Sequence, residues 1–335
     1  MKLSVVTVCY NAGAFVEGCL RSVATQTHHD IEHIIIDGQS TDGTLRTIQR
    51  YPHVACLVSE PDRGIYDAMN KGLSHVTGDY VIFLNADDRF VSEKAVALTV
   101  AAIERDSGAD VYYGSLEVRS ADQPPHIFHP PPPSEAPRFM ICGCLPHQST
   151  LARPDVFAKT GRFDLRYRYH ADYDWFLKIL ADPTIDVRRL PETIGSFLLG
   201  GASSQLANGQ PEVYAIQNNS PLYATPKWDR ERICALQEAF LQERLEAARL
   251  RAMLRDAHEE LRRLRIADKG EAAIALPASE NRSVPSQERS TNGAGGRAFR
   301  LRLALRAMLL RWLPQPIIKL IRQVKADRRA KMFKP

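Results

Sequence analysis

The chain has 335 residues, 44% of them hydrophobic, enough to bury one large α/β core with residues left over for extensions. Its net charge of +5 is unevenly spread: residues 297–335 hold twelve Lys or Arg and one Asp, a net +11, which leaves −6 for residues 1–296. Cysteines at 9, 19, 56, 142, 144 and 234 include one C-x-C pair and no paired C-x-x-C arrangement, which argues against a zinc site and reads as free thiols in a reducing compartment. Met1-Lys2-Leu3 runs straight into the first strand, too short an apolar run for a signal peptide, so a cytoplasmic protein is expected.

In chain order, Leu3–Cys9 (LSVVTVC) reads as a buried strand, followed by the turn Tyr10-Asn11-Ala12-Gly13 and a helical stretch Ala14–Thr25. Ile31–Ile36 is a second strand, with Asp37-Gly38-Gln39-Ser40-Thr41-Asp42-Gly43 behind it and a short helical pattern in Thr44–Tyr51. Tyr80–Asp88 (YVIFLNADD) is an apolar run that ends in two carboxylates where a strand would leave the sheet. Such a pair has little reason to sit at a strand mouth unless a cation or a phosphate-bound metal offsets its repulsion; the structural alternative is a solvated turn that caps the next helix. Strand, polar turn and helix thus alternate, the pattern of a mostly parallel sheet with helices on its faces and ligands at the carboxyl rim. No G-x-G-x-x-G follows the first strand and no G-x-x-x-x-G-K-[ST] occurs, so dinucleotide and P-loop chemistry find no support.

Four ordered motifs, Thr7-Val8-Cys9-Tyr10-Asn11, Ile36-Asp37-Gly38-Gln39-Ser40-Thr41-Asp42-Gly43-Thr44, Ser59 through Gly72 (SEPDRGIYDAMNKG) and Asn85-Ala86-Asp87-Asp88, resemble the family 2 glycosyltransferases over roughly residues 1–200. They are similar in particular to bacterial members that build exopolysaccharide or O-antigen repeat units. The resemblance implies a GT-A fold, a nucleotide-sugar donor, a divalent cation (Mn²⁺ or Mg²⁺) and inversion at the anomeric carbon. Departure of a nucleoside diphosphate wants a metal and fixed donors for the charge that develops. Asp87 is the best ligand, with Asp88 either a second ligand or the cap of a helix beginning near Val91. The family motif is Asp-x-Asp, and Asn85 stands in its first place: an amide can accept from a ribose hydroxyl or a metal-bound water but adds no charge. Asp37, directly after the second strand, can accept from a nucleobase N–H edge, and the matching family residue contacts the base; its other role would be a turn-former beside Gly38. Thr7 and Tyr10 flank the nucleotide by resemblance, although a strand threonine ordinarily packs. Arg63 suits base or diphosphate, or is simply an exposed arginine on a loop. Asn11, Asn70, Asn85 and Ala86 complete the implied donor-binding set.

The acceptor half is carried by Pro146-His147-Gln148-Ser149-Thr150, Gly161-Arg162-Phe163-Asp164 and His170-Ala171-Asp172-Tyr173-Asp174-Trp175-Phe176, in the order this family shows. An inverting transferase needs one general base for the incoming hydroxyl. Asp172 sits three and four residues before Trp175 and Phe176 on the inward face of a helix, whereas Asp174 lies four residues before Lys178 and reads as an exposed ion pair. Asp172 is therefore the expected base and matches the family's Glu-Asp motif, with Ala171 in place of the glutamate. His147, Gln148 and His170 are candidates to contact acceptor or phosphate, or structural residues. The Pro-rich segment Pro124–Pro137 either borders the acceptor cleft or is an inert loop.

The catalytic domain is expected to span 1–228. Ile233, Leu236, Phe240, Ala247, Leu250, Leu254, Ala257, Leu261 and Leu264 then follow three- and four-residue steps, interrupted at Glu243, which gives a heptad helix over 229–267. It is either a coiled coil able to make a homo-oligomer or a helix lying back on the catalytic domain. Residues 268–296 read as a disordered linker. In 297–335 basic residues alternate with leucines and Trp312, while Arg306, Arg311, Lys319, Pro314 and Pro316 forbid a spanning helix. An interfacial helix on an anionic membrane fits better than a nucleic-acid arm, for which the leucines are surplus. The expectation is a cytoplasmic enzyme, peripheral on the inner face of the membrane, acting on a lipid-linked or glycan acceptor. The competing reading is a membrane-tethered interaction protein of the same fold that has lost turnover.

Overall fold

The computed structural model describes residues 1–106, 108–120, 123–200 and 206–273. The chain divides into Met1–Phe240 and Leu241–Pro335, and every strand among the described residues lies in the first unit.

That unit is a nine-stranded mixed sheet in the order β3-β2-β1-β4-β8-β6-β9-β5, with β7 paired to β6. The strands β1 (Leu3–Cys9), β2 (Ile31–Asp37), β3 (Val54–Ser59) and β4 (Tyr80–Phe83) are parallel neighbours. β8 (Thr150–Ala152) is antiparallel to both β4 and β6 (Val111–Arg119), so β6 and its parallel partner β9 (Val187–Leu198) run with the first four. β5 (Arg89–Phe90) and β7 (His126–Phe128) are short antiparallel additions. The strands are therefore mostly parallel, as the alternation of strand and helix patterns predicts. β1 coincides with the predicted strand, β2 takes in Asp37, and α1 (Val16–Ala24) lies inside the helical stretch Ala14–Thr25.

The connecting helices α2 (Thr44–Ile48), α3 (Ile65–Leu73), α4 (Ala95–Arg105), α5 (Ala136–Phe139), α6 (Pro154–Thr160), α7 (Ala171–Ala181) and α8 (Leu206–Asn219) complete the unit. Period-two alternation sends Val6 and Val8 of β1 into the core that holds Phe157, Phe163, Trp175 and Phe176, and Leu3 and Val5 into the one that holds Val96, Val100 and Ile103. The Phe157 and Trp175 rings stack at 4.8 Å, which fixes α7 against α6. The Pro-rich segment is not a free excursion: it contributes β7, and the Pro131 and Pro130 carbonyls accept from the Tyr113 hydroxyl (2.7 Å) and the Arg189 guanidinium (2.9 Å).

The helix α9 (Pro226–Ala273) covers the predicted heptad segment and continues into the first residues of the expected linker. In the part that belongs to the first unit, Arg138 pairs with Glu231 and Glu238. Residues 274–335, which hold the rest of the expected linker and the basic segment, lie outside the described residues. No helix among the described residues is long and apolar enough to cross a membrane. The six cysteines are free thiols.

Candidate active site

The site is built on the carboxyl rim of the parallel strands. After β1, the turn at Asn11 (φ 49°) is held by the loop after β2: Ser40 Oγ accepts from Asn11 N–H (2.8 Å), Asn11 Oδ1 from Thr41 N–H (2.9 Å), Thr44 Oγ1 from Ala12 N–H (2.8 Å) and Asp42 Oδ2 from Gly13 N–H (2.9 Å). The polar motif after β2 is thus largely a clamp on the first loop. It leaves Tyr10 64% exposed at the mouth of the cleft. A Cβ at Gly38 would lie 2.5 Å from Asp62 Oδ2, so a side chain there must push that carboxylate aside. Gly64, with φ 118°, turns the chain into α3 and supplies a conformation an L side chain rarely adopts.

Three expected donor residues do not face the cleft. The Thr7 side chain is fully buried and bonds His33 Nε2 (2.9 Å), beneath the rim. The Asp37 carboxylate is also fully buried and is consumed by Ser40 N–H (2.9 Å), the Ser40 hydroxyl and the Ser59 hydroxyl (2.7 Å), the turn-forming alternative rather than the base contact. Asn70 is spent on the backbone of Phe163. Arg63 does reach a cavity, where its guanidinium pairs with Asp67 at 3.1 Å.

Two adjoining cavities make up the cleft. One, of about 750 Å³, is lined by Tyr10, Gly38, Gln39, Arg63, Tyr167 and Arg168 among others. The second, of about 880 Å³, brings together Tyr10, Asn11, Asn85, Ala86 and Asp87 on one wall and His147, Gln148, His170 and Asp172 on the other. Its lining also includes the apolar Leu116, Phe128, Leu145 and Phe197. Phe128 comes from the Pro-rich segment, which therefore borders the cleft.

β4 ends at Phe83, so Asn85–Asp88 form the loop to β5. Asp87 lies on the cleft wall, and its carboxylate takes no hydrogen bond from the described residues. Asp88 turns the other way: it is 1% exposed and does not line the cleft. Neither of its oxygens accepts a hydrogen bond of good geometry, although the Leu198 amide and the Gln148 side chain face it. Burial, with the Asp87 charge beside it, pushes its carboxyl up to about 7. Nor is Asp88 a helix cap, since β5 follows it and α4 begins at Ala95. Among the described residues no group of three or more His, Cys, Asp or Glu side chains is arranged around a metal position. A carboxylate that takes no hydrogen bond from the described residues, on the wall of a cleft this large, suits a hard cation that takes its other ligands from a bound diphosphate and water, and Asp87 is the residue that would hold it.

On the opposite wall Asp172 occupies the first turn of α7, facing inward as its spacing to Trp175 and Phe176 predicts. Its Oδ1 accepts from the Tyr66 hydroxyl (2.7 Å) and the Tyr173 N–H (2.9 Å), and its Oδ2 lies 3.0 Å from His147 Nδ1. Burial opposes its charge, but His147 and Tyr66 outweigh that and hold its carboxyl below the usual range. Burial likewise opposes a charged His147, and the Asp172 carboxylate, helped by Asp88 and Asp87, lifts its imidazolium above the ordinary range. Burial and the same carboxylate raise the Tyr66 phenol well above its ordinary value. Asp174 does pair with Lys178, at 2.7 Å, but it is half-buried rather than exposed.

Tyr66, Arg168 and Glu212 belong to the site without having been read from the sequence as site residues. The Tyr66 hydroxyl also contacts the Tyr169 carbonyl (2.9 Å). Glu212 of α8 accepts from the N–H groups of Arg168 (2.8 Å), Tyr169 (2.8 Å) and His170 (3.1 Å), fixing the loop that lines both cavities. Its ring partner His170 has Nδ1 at 3.8 Å from the same carboxylate. The sequence signals for Tyr66 are its place in the Ser59–Gly72 motif and its position after Gly64 at a helix start; nothing marks Glu212.

A model of the family described as glycosyl transferase family 2 matches residues 4–141. A PGL/p-HBAD biosynthesis glycosyltransferase of Mycobacterium tuberculosis is 30% identical over 210 residues, which cover 61% of this chain and 80% of that protein. A putative teichuronic acid biosynthesis glycosyltransferase, TuaG of Bacillus subtilis, is 33% identical over 152 residues, 43% of this chain and 60% of that one. Among solved structures, S. aureus TarS 1–349 in complex with UDP-GlcNAc superposes with a TM-score of 0.55 at 17% identity, over 65% of this chain and 64% of that chain, which shows the shared fold. With a mostly parallel sheet, a two-walled cleft on its carboxyl rim and these relatives, the chain belongs to glycosyl transferase family 2 and is a glycosyltransferase of GT-A fold.

Proposed function

We propose that the enzyme transfers a sugar from a nucleotide-sugar donor to a lipid-linked glycan acceptor, with inversion, in the synthesis of bacterial surface polysaccharide. The observation that carries this reading is the pairing of walls: Asp87 stands unbonded on one side of the cleft, and the Asp172–His147 pair stands on the other. The donor would lie along Tyr10, Asn11, Asn85 and Ala86, with its diphosphate toward Asp87 and Arg63 near its nucleotide. A divalent cation, when bound, neutralises charge on the departing diphosphate. The acceptor hydroxyl gives up its proton on the opposite wall, which places attack and departure on opposite sides of the anomeric carbon. The apolar side chains of Leu116, Phe128 and Phe197 in the lining support an acceptor with an apolar portion. Relatives named for glycolipid and teichuronic acid synthesis support the same acceptor class.

In this reading residues 1–228 are the catalytic domain, and the basic amphipathic segment 297–335 holds the enzyme on the anionic inner face of the cell membrane. The heptad helix would join two copies: Ile233, Leu236, Phe240 and Leu250 of its seam are exposed along α9. A thermal-shift panel of UDP, GDP and dTDP with and without Mn²⁺ tests the donor site, because a ligand bound only by the native state raises its melting temperature. A Mn²⁺-dependent rise with one nucleotide is expected. No rise with any of them would remove the donor reading.

A further inference from the structure

The two adjoining cavities share part of their lining: Tyr10, Asp62, Gly64, Ile65, Tyr66 and Arg168 belong to both. These residues form the neck of the cleft. Under the transfer reading the nucleoside lies on the side of Gln39 and Arg63 and the reacting sugar on the side of Asp87 and Asp172, so the diphosphate that joins them passes the neck. Among the residues common to both linings, Arg168 is the one Lys or Arg.

Its guanidinium is available to an anion. No carboxylate of the described residues pairs with it, and its head group is exposed, with the guanidinium carbon 5.5 Å from the centre of the Tyr169 ring. Arg63, by contrast, is already paired with Asp67 at 3.1 Å. The carboxylate that shares the neck, Asp62, is turned to its own loop: its Oδ1 accepts from Gly64 N–H (2.8 Å) and its Oδ2 lies against Gly38. The backbone that carries Arg168 is pinned on two sides. Glu212 of α8 accepts from the N–H groups of Arg168, Tyr169 and His170, and the Tyr66 hydroxyl of α3 bonds the Tyr169 carbonyl. Asp172 follows on the same segment, in the first turn of α7.

We propose that Arg168 is the protein's own cation for the donor diphosphate: it reaches from the acceptor-side loop to the neck and takes two diphosphate oxygens on its planar fork. This rests on the transfer reading above. As the acceptor oxygen forms its bond to the anomeric carbon, its proton passes to Asp172. The bond from that carbon to the diphosphate oxygen breaks, and its electron pair stays on the diphosphate. The charge grows on a group that the Arg168 N–H donors already face, and the guanidinium keeps all its protons. A divalent cation held by Asp87, with the neutral Asn85 beside it in place of a second carboxylate, leaves part of the diphosphate's recognition to the protein, and Arg168 supplies it. Because Arg168 and Asp172 sit on one pinned stretch of backbone, holding the diphosphate at the first sets the distance of the anomeric carbon from the second.

The test uses the full chain, with UDP, GDP, dTDP and inorganic pyrophosphate titrated in EDTA and in Mn²⁺. Arg168→Gln should weaken the nucleoside diphosphate that wild type binds, and pyrophosphate, by about 10-fold or more, most strongly in EDTA, where no metal shares the charge. The matching nucleoside should bind within about twofold of wild type. Arg168→Lys should fall between the two, since it keeps the charge and loses the fork. The unliganded melting temperature should stay in place, because the side chain is exposed and unpaired. With saturating sugar nucleotide, Arg168→Gln should lose about 10- to 100-fold in kcat. Unchanged affinity for both the nucleoside diphosphate and pyrophosphate would overturn the proposal, as would an equal loss for the bare nucleoside, which would place Arg168 at the base. If wild type binds none of the three nucleoside diphosphates, the donor reading fails instead, and pyrophosphate decides this proposal alone: binding that Arg168→Gln removes keeps it, and equal or no binding overturns it.

Discussion

Asn70 and Phe163 exchange two hydrogen bonds: Asn70 Nδ2 donates to the Phe163 carbonyl at 2.8 Å, and the Phe163 N–H donates to Asn70 Oδ1 at 3.0 Å. A residue expected at the nucleotide is thus a bolt between α3 and the loop that leads into α7. Asn70→Ala leaves two backbone groups near a buried phenylalanine unpaired and should destabilise the protein by about 1–3 kcal/mol, with nucleotide affinity unchanged. Denaturant unfolding and titration calorimetry measure the two effects, and a loss of affinity at unchanged stability would restore the nucleotide contact.

The carboxylate of Asp87 takes no hydrogen bond from the described residues. Asp87→Asn should therefore abolish Mn²⁺-dependent nucleotide binding and transfer while leaving the melting temperature in place. Calorimetry with nucleotide and Mn²⁺ checks it; unchanged metal-dependent affinity would exclude a ligand role.

Asp172 and Asp174 are neighbours with opposite surroundings. Asp172→Asn removes the inward carboxylate expected to serve as base and should cost about 100-fold or more in turnover with donor affinity nearly kept. Asp174→Asn removes one pair with Lys178, worth up to about 1 kcal/mol, and should leave turnover within a small factor. A transfer assay that ranked them the other way would invert the assignment.

Acid stability should fall in two stages. Burial holds His33, bonded to Thr7 and His53, neutral down to about 3, whereas the unfolded chain takes up that proton near the ordinary value of 6.5. Its share of stability is thus complete above pH 6.5 and is lost as pH falls toward 3. Burial opposes the charge of Glu32, but Lys2, Ser4 and Thr77 together lower it to about 2 from an ordinary 4.5, so its share is lost between those values. His147 acts in the opposite sense, since its raised value favours the folded state below 6.5. The useful measurement is the difference between wild type and His33→Gln in melting temperature against pH, which should flatten the upper stage.

The basic segment is expected to bind anionic lipid through apolar area and through charge that salt screens over roughly 10 Å at 0.1 M. Truncation after Arg265 should release the enzyme from anionic liposomes and keep the nucleotide site. Co-sedimentation at low and high salt reads this out; equal binding by both proteins, or tighter binding to DNA than to lipid, would give the segment another role.

Position on the rim was legible from sequence, because a buried run that ends in polar residues marks where a strand leaves a sheet. The inward face of Asp172 followed from its spacing to Trp175 and Phe176. The direction in which a rim side chain turns was not legible. Asp37 is drawn inward by Ser59, 22 residues away, and Asp88 by the chain reversal into β5. The contacts that define the acceptor wall join residues 25 and 106 apart, His147 and Tyr66 each to Asp172, and no local periodicity records such pairs. Glu212 is legible only once α8 is seen beside the backbone it binds.

The parallel strands β1 to β4 meet the rest of the sheet through β8, whose register with β4 is the single pair Val81 and Ala152. The family model stops at residue 141, before His147 and Asp172. That hydrogen-bonded seam is narrow, but Val6 and Val8 of β1 share one apolar core with Phe157 and Trp175 from beyond it, so under the proposed reading a remodelled acceptor half must keep this packing. Under that reading, chimeras joined within the loop before His147 would change the acceptor only if both sides of this core were matched.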